Sequence, residues 1–358
     1  MAIDITLYFK TIGENNMKRL LYIDWLRIYA TIAVVVIHVS AGFVGEMDPT
    51  NLSRWFSGNF YETLARSSVP IFVMISGALL LQTKKKVTYL EFLKKRTSKV
   101  LIPLFAWSAI FYLYGVYTGQ FPASITQPIS LFLQNGISSH LWFLYMIIGL
   151  YLITPLLLLM IQQATQQDLH YFLLLWIYAS FGTKLIQFLL HINIPIELLF
   201  VSNYVGYFIL GYYLHTFDLS LKWRRILYIA AIISLFCTFS LTYLSTVHNG
   251  NVEMFWYEYF SPTVGITSAG LFVFFRSFFQ NKEQKLSFLF HQINRASLGI
   301  YILHYFLLGH FLYRVFPLVA SHVHPIIAIP IDVIITLILS LLLTRIVQFI
   351  PFIKKIAP

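Results

Sequence analysis

Charge is scarce in this chain of 358 residues. Asp, Glu, Lys and Arg make up 11% of it, against 58% hydrophobic residues. A water-soluble domain carries about 25% charged residues to cover its surface, so this composition excludes one. Carboxylates are few and scattered, with 14 Asp plus Glu in all, and no paired carboxylates of the kind used in glycosyl transfer stand out. Cysteine is nearly absent: Cys237 is alone, inside an apolar run, which rules out a disulfide framework and a cysteine-based metal site. There is no phosphate-binding glycine loop, no zinc spacing and no G-x-S-x-G elbow. No linker rich in Pro, Gly or Ser divides the chain, and no internal repeat is visible. No small-residue cleavage site follows the first apolar segment, so that segment does not read as a removable signal peptide.

What the sequence has in abundance is long apolar runs, such as 28–39, 70–81 and 141–161. About 20 apolar residues cross the ~30 Å hydrocarbon core as a helix. Bare loops and open sheet edges are excluded from lipid, and the runs lack the alternation of barrel strands, so helices are expected. The pattern predicts an all-α, polytopic membrane bundle of about ten transmembrane helices, near 22–43, 61–82, 100–118, 140–161, 170–190, 201–217, 225–244, 258–280, 297–317 and 326–350. With the N-terminus inside, only Arg54, Arg66, Lys184 and Arg314 of the 25 Lys plus Arg fall in outer segments, leaving 21 on the inner side. The positive-inside rule then places both termini in the cytoplasm and the protein in the cytoplasmic (inner) membrane. The net charge of +11 is thereby explained without nucleic acid; basic loops suit anionic lipids or a polyanionic cytosolic ligand. Residues 17–358 read as one membrane domain. Residues 1–16 read as a dispensable, disordered extension or a start misplaced upstream of Met17.

Ionisable residues within the runs are costly in lipid and are expected to face the bundle interior. In the first helix, Arg27 and His38 are eleven residues apart. That step is about 1100°, about 20° from three full turns, so both lie on one face, with His38 about 16 Å deeper. Asp24 lies on nearly the same face, one turn before Arg27. The same spacing also suits a membrane-edge ion pair and an interhelical hydrogen bond. In the second helix Glu62 and Arg66 are i,i+4 partners, Pro70 predicts a kink, and Ser76-Gly77 permits close helix approach. Seven basic residues crowd Lys84–Lys99, which serves topology and equally an anion clamp, with Arg96 and Lys99 one turn apart and Lys95 beside them. His140 and Trp142 open the fourth helix toward an outer vestibule. Ser297, Tyr301 and His304 share a face of the ninth span, with His304 near mid-membrane, and His310 and Arg314 form an i,i+4 pair.

Six segments, DWLRIYATIAVVVIH, RSSVPIFVMISGALLL, KKRTSKVLIPLFAW, HLWFLYMIIGLYLITPLL, YVGYFILGYYL and SLGIYILHYFLL, resemble in order the helix signatures of the acyltransferase-3 family of integral membrane acyltransferases, which O-acylate surface polysaccharides and related glycoconjugates. The middle segments look most like its polysaccharide O-acetyltransferase branch. The resemblance implies that His38 is the essential histidine, with Arg27 its companion and Asp24 beside them. It implies that Arg96 and Lys99 stand for an Arg-x-x-Arg motif binding the acyl-coenzyme A donor, with lysine keeping the charge but losing bidentate geometry. Lys95 joins the donor set, and Arg66, Glu62, Ser76, His140, Trp142, Tyr301 and His304 are the expected acceptor-cavity residues. No resident cofactor or metal is expected. Acetyl-coenzyme A is the expected co-substrate, and a surface glycan or lipid-linked saccharide the acceptor. The rival reading is a non-catalytic exporter or flippase of such a saccharide. The oligomeric state and the acyl group are left open.

Overall fold

The computed structural model describes residues 20–45, 47–48, 52–82, 88–196, 198–280, 282, 286–312, 315–316 and 322–357. The expected extension at 1–16, Lys84, Lys85, Lys86 and Arg314, and with it the His310–Arg314 pair, lie outside those residues. The chain is 80% helical with no strand among the described residues, as lipid demands of a backbone that must satisfy its own hydrogen bonds. In order, the helices are α1 (Leu21–Val44), α2 (Leu52–Ala65), α3 (Ser68–Leu80), α4 (Tyr89–Tyr117), α5 (Gln127–Leu133), α6 (Trp142–Gln163), α7 (Gln166–Ile177), α8 (Thr183–Leu190), α9 (Tyr204–Thr216), α10 (Leu221–Asn249), α11 (Pro262–Phe279), α12 (Phe288–Arg295), α13 (Ser297–His310) and α14 (Pro325–Phe349). Eight segments of the described residues are long and apolar enough to span a membrane.

Two of the ten expected spans are therefore short helices. Helix α9 has 13 residues and α13 has 14, about 20 Å each and less than the hydrocarbon thickness. Protein rather than lipid surrounds them: Tyr207, Phe208 and Ile209 of α9, and Ile300, Ile302 and His304 of α13, have no exposed surface. An apolar run of this kind is buried by neighbouring helices, and hydropathy does not distinguish that from burial in lipid.

Other boundaries shift for local reasons. Helix α4 starts at Tyr89, not near residue 100, because Thr88 and Glu91 form a capping box that satisfies the first-turn amides. Arg96 and Lys99 thus sit well inside a helix. The second span begins at Leu52 and is broken at Arg66-Ser67 between α2 and α3. Pro70 supplies no N–H to the Arg66 carbonyl and its ring crowds that carbonyl, so the break falls four residues upstream of the proline. The fifth span carries a π turn over Tyr178–Gly182 between α7 and α8.

Helix α1 lies at the centre, packed against α2, α3, α11, α12, α13 and α14. The α3–α9 seam is held by reciprocal glycines, as Ser76-Gly77 suggested. A Cβ at Gly77 would collide with the backbone carbonyl of Phe208, and one at Gly211 with that of Met74. In the bilayer, such close approach supplies the dispersion contact that drives association. Helix α14 buries a polar stripe, Asp332, Thr336, Ser340 and Thr344, all with no exposed surface. Thr336 and Thr344 turn their hydroxyls back to carbonyls four residues earlier, at 2.7 Å each.

Substituting Gly211→Leu should lower stability by about 1–3 kcal/mol through overpacking. Gly149→Leu, at a site with open space, should be neutral. Thermal unfolding of the detergent-solubilised protein measures both.

Candidate active site

Three histidines and two tyrosines converge where α1, α13 and the start of α6 meet. The His38 ring lies 5.0 Å from that of His304 and 5.2 Å from that of Tyr305, centroid to centroid. His140, in the turn Ser139–Leu141 ahead of α6, stacks on Tyr305 at 4.5 Å and lies 6.0 Å from His304 and 5.7 Å from Tyr301. Sequence spacing brings His38 and His304 to one depth, and the parallel course of α1 and α13 brings them together.

The hydrogen bonds assign tautomers to the neutral rings. The Nε2 of His140 lies 3.2 Å from the Ile302 carbonyl, which can only accept, so Nε2 carries the proton and Nδ1 accepts from Ser138 Oγ at 2.9 Å. Tyr301 donates its hydroxyl to the His140 carbonyl. His140 is thereby fully engaged and buried. His304 donates from Nδ1 to the Ile300 carbonyl at 3.1 Å. Its Nε2 is left buried, with a lone pair and no partner among the described residues. His38 forms no hydrogen bond to a described residue, and it is half-buried, as is Tyr305 beside it, while His140, Tyr301 and His304 are buried. Two of the three imidazoles thus keep ring nitrogens without a hydrogen-bond partner among the described residues.

A fixed charge pair borders this cluster. Glu62 is buried, pairs with Arg66 and accepts from Ser40 Oγ at 2.5 Å, two residues beyond His38 on α1. The Arg66 guanidinium lies over the Tyr257 ring at 4.7 Å, and the Tyr257 hydroxyl donates to Asn59. Arg66 acts electrostatically on His38, and its buried Nε–H has no acceptor among the described residues. Tyr259 lies close enough to feel both Arg66 and Glu62, and Trp142 stacks on Tyr259 at 5.8 Å. His140, Tyr301 and His304 thus cluster with His38, the Glu62–Arg66 pair borders them, and Trp142 lies beyond Tyr259.

Asp24 and Arg27 are not in that chamber. Eleven residues of unbroken helix, about 16 Å, separate Arg27 from His38. The pair belongs to a second polar site nearer the N-terminal end of α1. Arg27 donates to Asn294 Oδ1 at 2.8 Å, and Asn294 Nδ2 donates to Asp24 at 2.7 Å, with 3.6 Å between Arg27 and Asp24. All three are buried. Ser76 also departs from expectation: it sits beside the hydroxyl of Tyr151, and Tyr151 lies within the electrostatic reach of both Arg96 and Arg27. Arg96 is buried, while Lys95 and Lys99 on the same helix are half-buried. Of the expected donor residues, Arg96 is thus linked to Arg27 through Tyr151.

Asn294, Tyr151, Tyr305, Ser138 and Ser40 escape the sequence reading. Ser138 has a local signal, two residues before a histidine in a turn, and Tyr305 adjoins His304. The partnerships of Asn294 and Tyr151 are set by packing across the whole chain and leave no local pattern.

The fold is that of a multi-pass membrane protein, and within it three imidazoles cluster on α1, α13 and the turn ahead of α6. Residues 20–345 match the family model described as an acyltransferase domain, and the chain belongs to that family, acyltransferase-3. It is a membrane acyltransferase. No curated protein and no solved structure matches the chain.

Glu62→Ala should destabilise by about 3–5 kcal/mol, because it strands a buried guanidinium. Arg66→Ala should cost a similar amount, and the double variant clearly less than the sum. A double-mutant cycle on unfolding in detergent tests this; strict additivity would show that the pair is not coupled.

Proposed function

We propose that this acyltransferase moves an acetyl group from acetyl-coenzyme A to a hydroxyl of a surface polysaccharide or its lipid-linked precursor, in the cytoplasmic membrane, with both termini cytoplasmic. The observation that carries the reading is the half-buried His38 ring beside the His304 Nε2 and near the Arg66 Nε–H, none of which has a hydrogen-bond partner among the described residues. Acyl transfer to an alcohol requires a base, an oxyanion donor and a means of holding two reactants together. The chamber offers candidates for each.

In this mechanism the donor approaches from the side of Arg96. Its phosphates meet Arg96, Lys99 and Lys95, with guanidinium gripping phosphate oxygens in a fork and lysine adding charge. Its narrow thiol-ended arm passes the Asp24–Arg27–Asn294 and Ser76–Tyr151 groups and delivers the thioester to His38. Asp24 and Arg27 act as positioning residues: they hold the inner half of α1 to Asn294 and border the donor path.

His38 takes the proton of the attacking hydroxyl as its oxygen forms the new C–O bond. The carbonyl oxygen gains charge and is met by the Arg66 N–H. The C–S bond then breaks, and the proton on His38 passes to the leaving sulfur, giving the free thiol. His304 lies beside His38 and keeps the partner ring oriented. His140, locked by Ser138, Ile302 and Tyr301, forms a rigid wall. The acceptor side of the chamber is bordered by Arg66, Glu62, Trp142 and Tyr259.

His38→Ala should leave insertion intact and reduce acetyl transfer by about 10²–10⁴-fold, the contribution of a general base. Mass analysis of surface glycans from cells with and without the gene, and with the variant, reads this. Persistent acetylation in the variant would overturn the assignment, and loss of the whole polymer on deletion would instead identify an exporter. Arg96→Ala should raise KM for acetyl-coenzyme A by about tenfold or more and leave acceptor KM nearly unchanged; equal effects on both would mark a structural role.

A further inference from the structure

Two guanidiniums are held together beside the Asp24–Arg27–Asn294 site, and the mechanism above uses neither. Arg345, near the end of α14, donates from Nη2 to the carbonyl of Gln292 at 3.0 Å and from Nη1 to Gln348 Oε1 at 2.6 Å. Gln292 lies one turn before Arg295, the last residue of α12. On the other side of Arg295, a Cβ at Gly299 would collide with Thr344, the chain neighbour of Arg345. Contacts before and after Arg295 thus press the end of α14 against the junction of α12 and α13, and Arg295 is within electrostatic reach of Arg345. Asn294, adjacent to Arg295, is the residue that binds Arg27 and Asp24.

What this pair lacks is an anion. Neither arginine forms an ion pair with a carboxylate among the described residues. The C-terminal carbonyls of α12 offset part of the charge, but a helix end carries only about half a negative unit against two positive ones. Membrane topology asks only that cations lie on one side, and exposed side chains such as Lys354 and Lys355 satisfy it in water. Arg345 is held differently. It is half-buried, and its Nε–H is buried with no acceptor among the described residues. Gln348, which grips it, is itself tethered, donating from Nε2 to the Ala357 carbonyl at 2.8 Å. A guanidinium fixed in this way and bare at Nε is preorganised for a two-pronged grip, in which Nε–H and the adjoining amino group donate in parallel to two oxygens of one anion. Arg295, which is exposed, brings the second charge.

We propose that Arg345 and Arg295 form a binding site for a phosphate monoester. The class follows from charge: a monoester carries about −1.5 to −2 near neutral pH, which matches two guanidiniums, whereas a carboxylate or a phosphodiester carries a single charge. Two molecules available to a membrane acyltransferase carry that group: coenzyme A on its ribose, and phosphatidic acid in its headgroup. Coenzyme A is favoured because the site adjoins Asn294 and through it Arg27, which Tyr151 links to Arg96. With the diphosphate of the donor at Arg96 and Lys99, the monoester is left for this pair. The coenzyme A assignment rests on the donor reading above; the site as a phosphate clamp does not.

Calorimetric titration of the purified protein in uncharged detergent, with coenzyme A and with dephospho-coenzyme A, which lacks the monoester, tests the assignment. The wild type should bind coenzyme A about tenfold or more tightly than the dephospho form, the size of a charge-assisted contact. Arg345→Gln should erase most of that difference. So should Arg295→Gln, whose exposed position does not threaten folding, and binding of the dephospho form should stay within about twofold in both. Arg96→Ala should instead weaken both ligands. In parallel, native mass spectrometry reads the phosphatidic acid retained against phosphatidylcholine. Loss of phosphatidic acid in the two arginine variants, with coenzyme A discrimination unchanged, would assign the clamp to lipid. Unchanged discrimination together with unchanged phosphatidic acid retention in Arg295→Gln would overturn the site. If the wild type binds neither coenzyme, the donor reading fails and the lipid measurement alone decides the clamp.

Discussion

Everything in this molecule depends on α1 having no face turned wholly to lipid. A helix surrounded by protein can carry Asp24, Arg27, His38 and Ser40, provided that its neighbours supply what water would have supplied. Asn294 does this for the charges at one end, and Glu62 receives Ser40 toward the other. Removing α1's protein wrapping would leave charges in hydrocarbon at a cost of several kcal/mol each. The short helices α9 and α13 are part of the same arrangement: they fill the space around longer helices instead of crossing the bilayer themselves.

Two polar sites lie on one helix, and the proposed mechanism divides the chemistry between them. At the N-terminal site, charges are closed upon one another in short hydrogen bonds, which favours holding and orienting. At the histidine chamber, His140 is saturated with partners while His38 and the His304 Nε2 are not. An imidazole with every nitrogen engaged is a structural element. One with a nitrogen that no described residue engages can still accept a proton. The division of labour among three identical side chains follows from what each ring is bonded to, not from residue type.

Much of this could be read in the sequence where the signal is local. The eleven-residue step from Arg27 to His38 reports their common face because helical rise and turn are fixed. Pro70 announced a kink, and the chain answers with a break at the carbonyl that the proline cannot serve. The capping box at Thr88 was equally local, but the surrounding lysines masked it by resembling a loop. Depth along α1 was legible, whereas function by proximity was not: Arg27 and His38 share a face yet serve different sites. Asn294 and Tyr151 carry no periodic signature, since their partners lie on other helices and are chosen by packing.

The Arg27–Asn294 bond spans 267 positions of chain. At a synthesis rate of about 5–20 residues per second, the first helix waits roughly 15–50 s after emerging before its partner exists. Until then its guanidinium must be sheltered by lipid headgroups, by water at the interface or by the insertion machinery. Biogenesis of this bundle therefore closes late, with its earliest helix seated last, and loss of the C-terminal segments would unseat the beginning of the chain as well as the end.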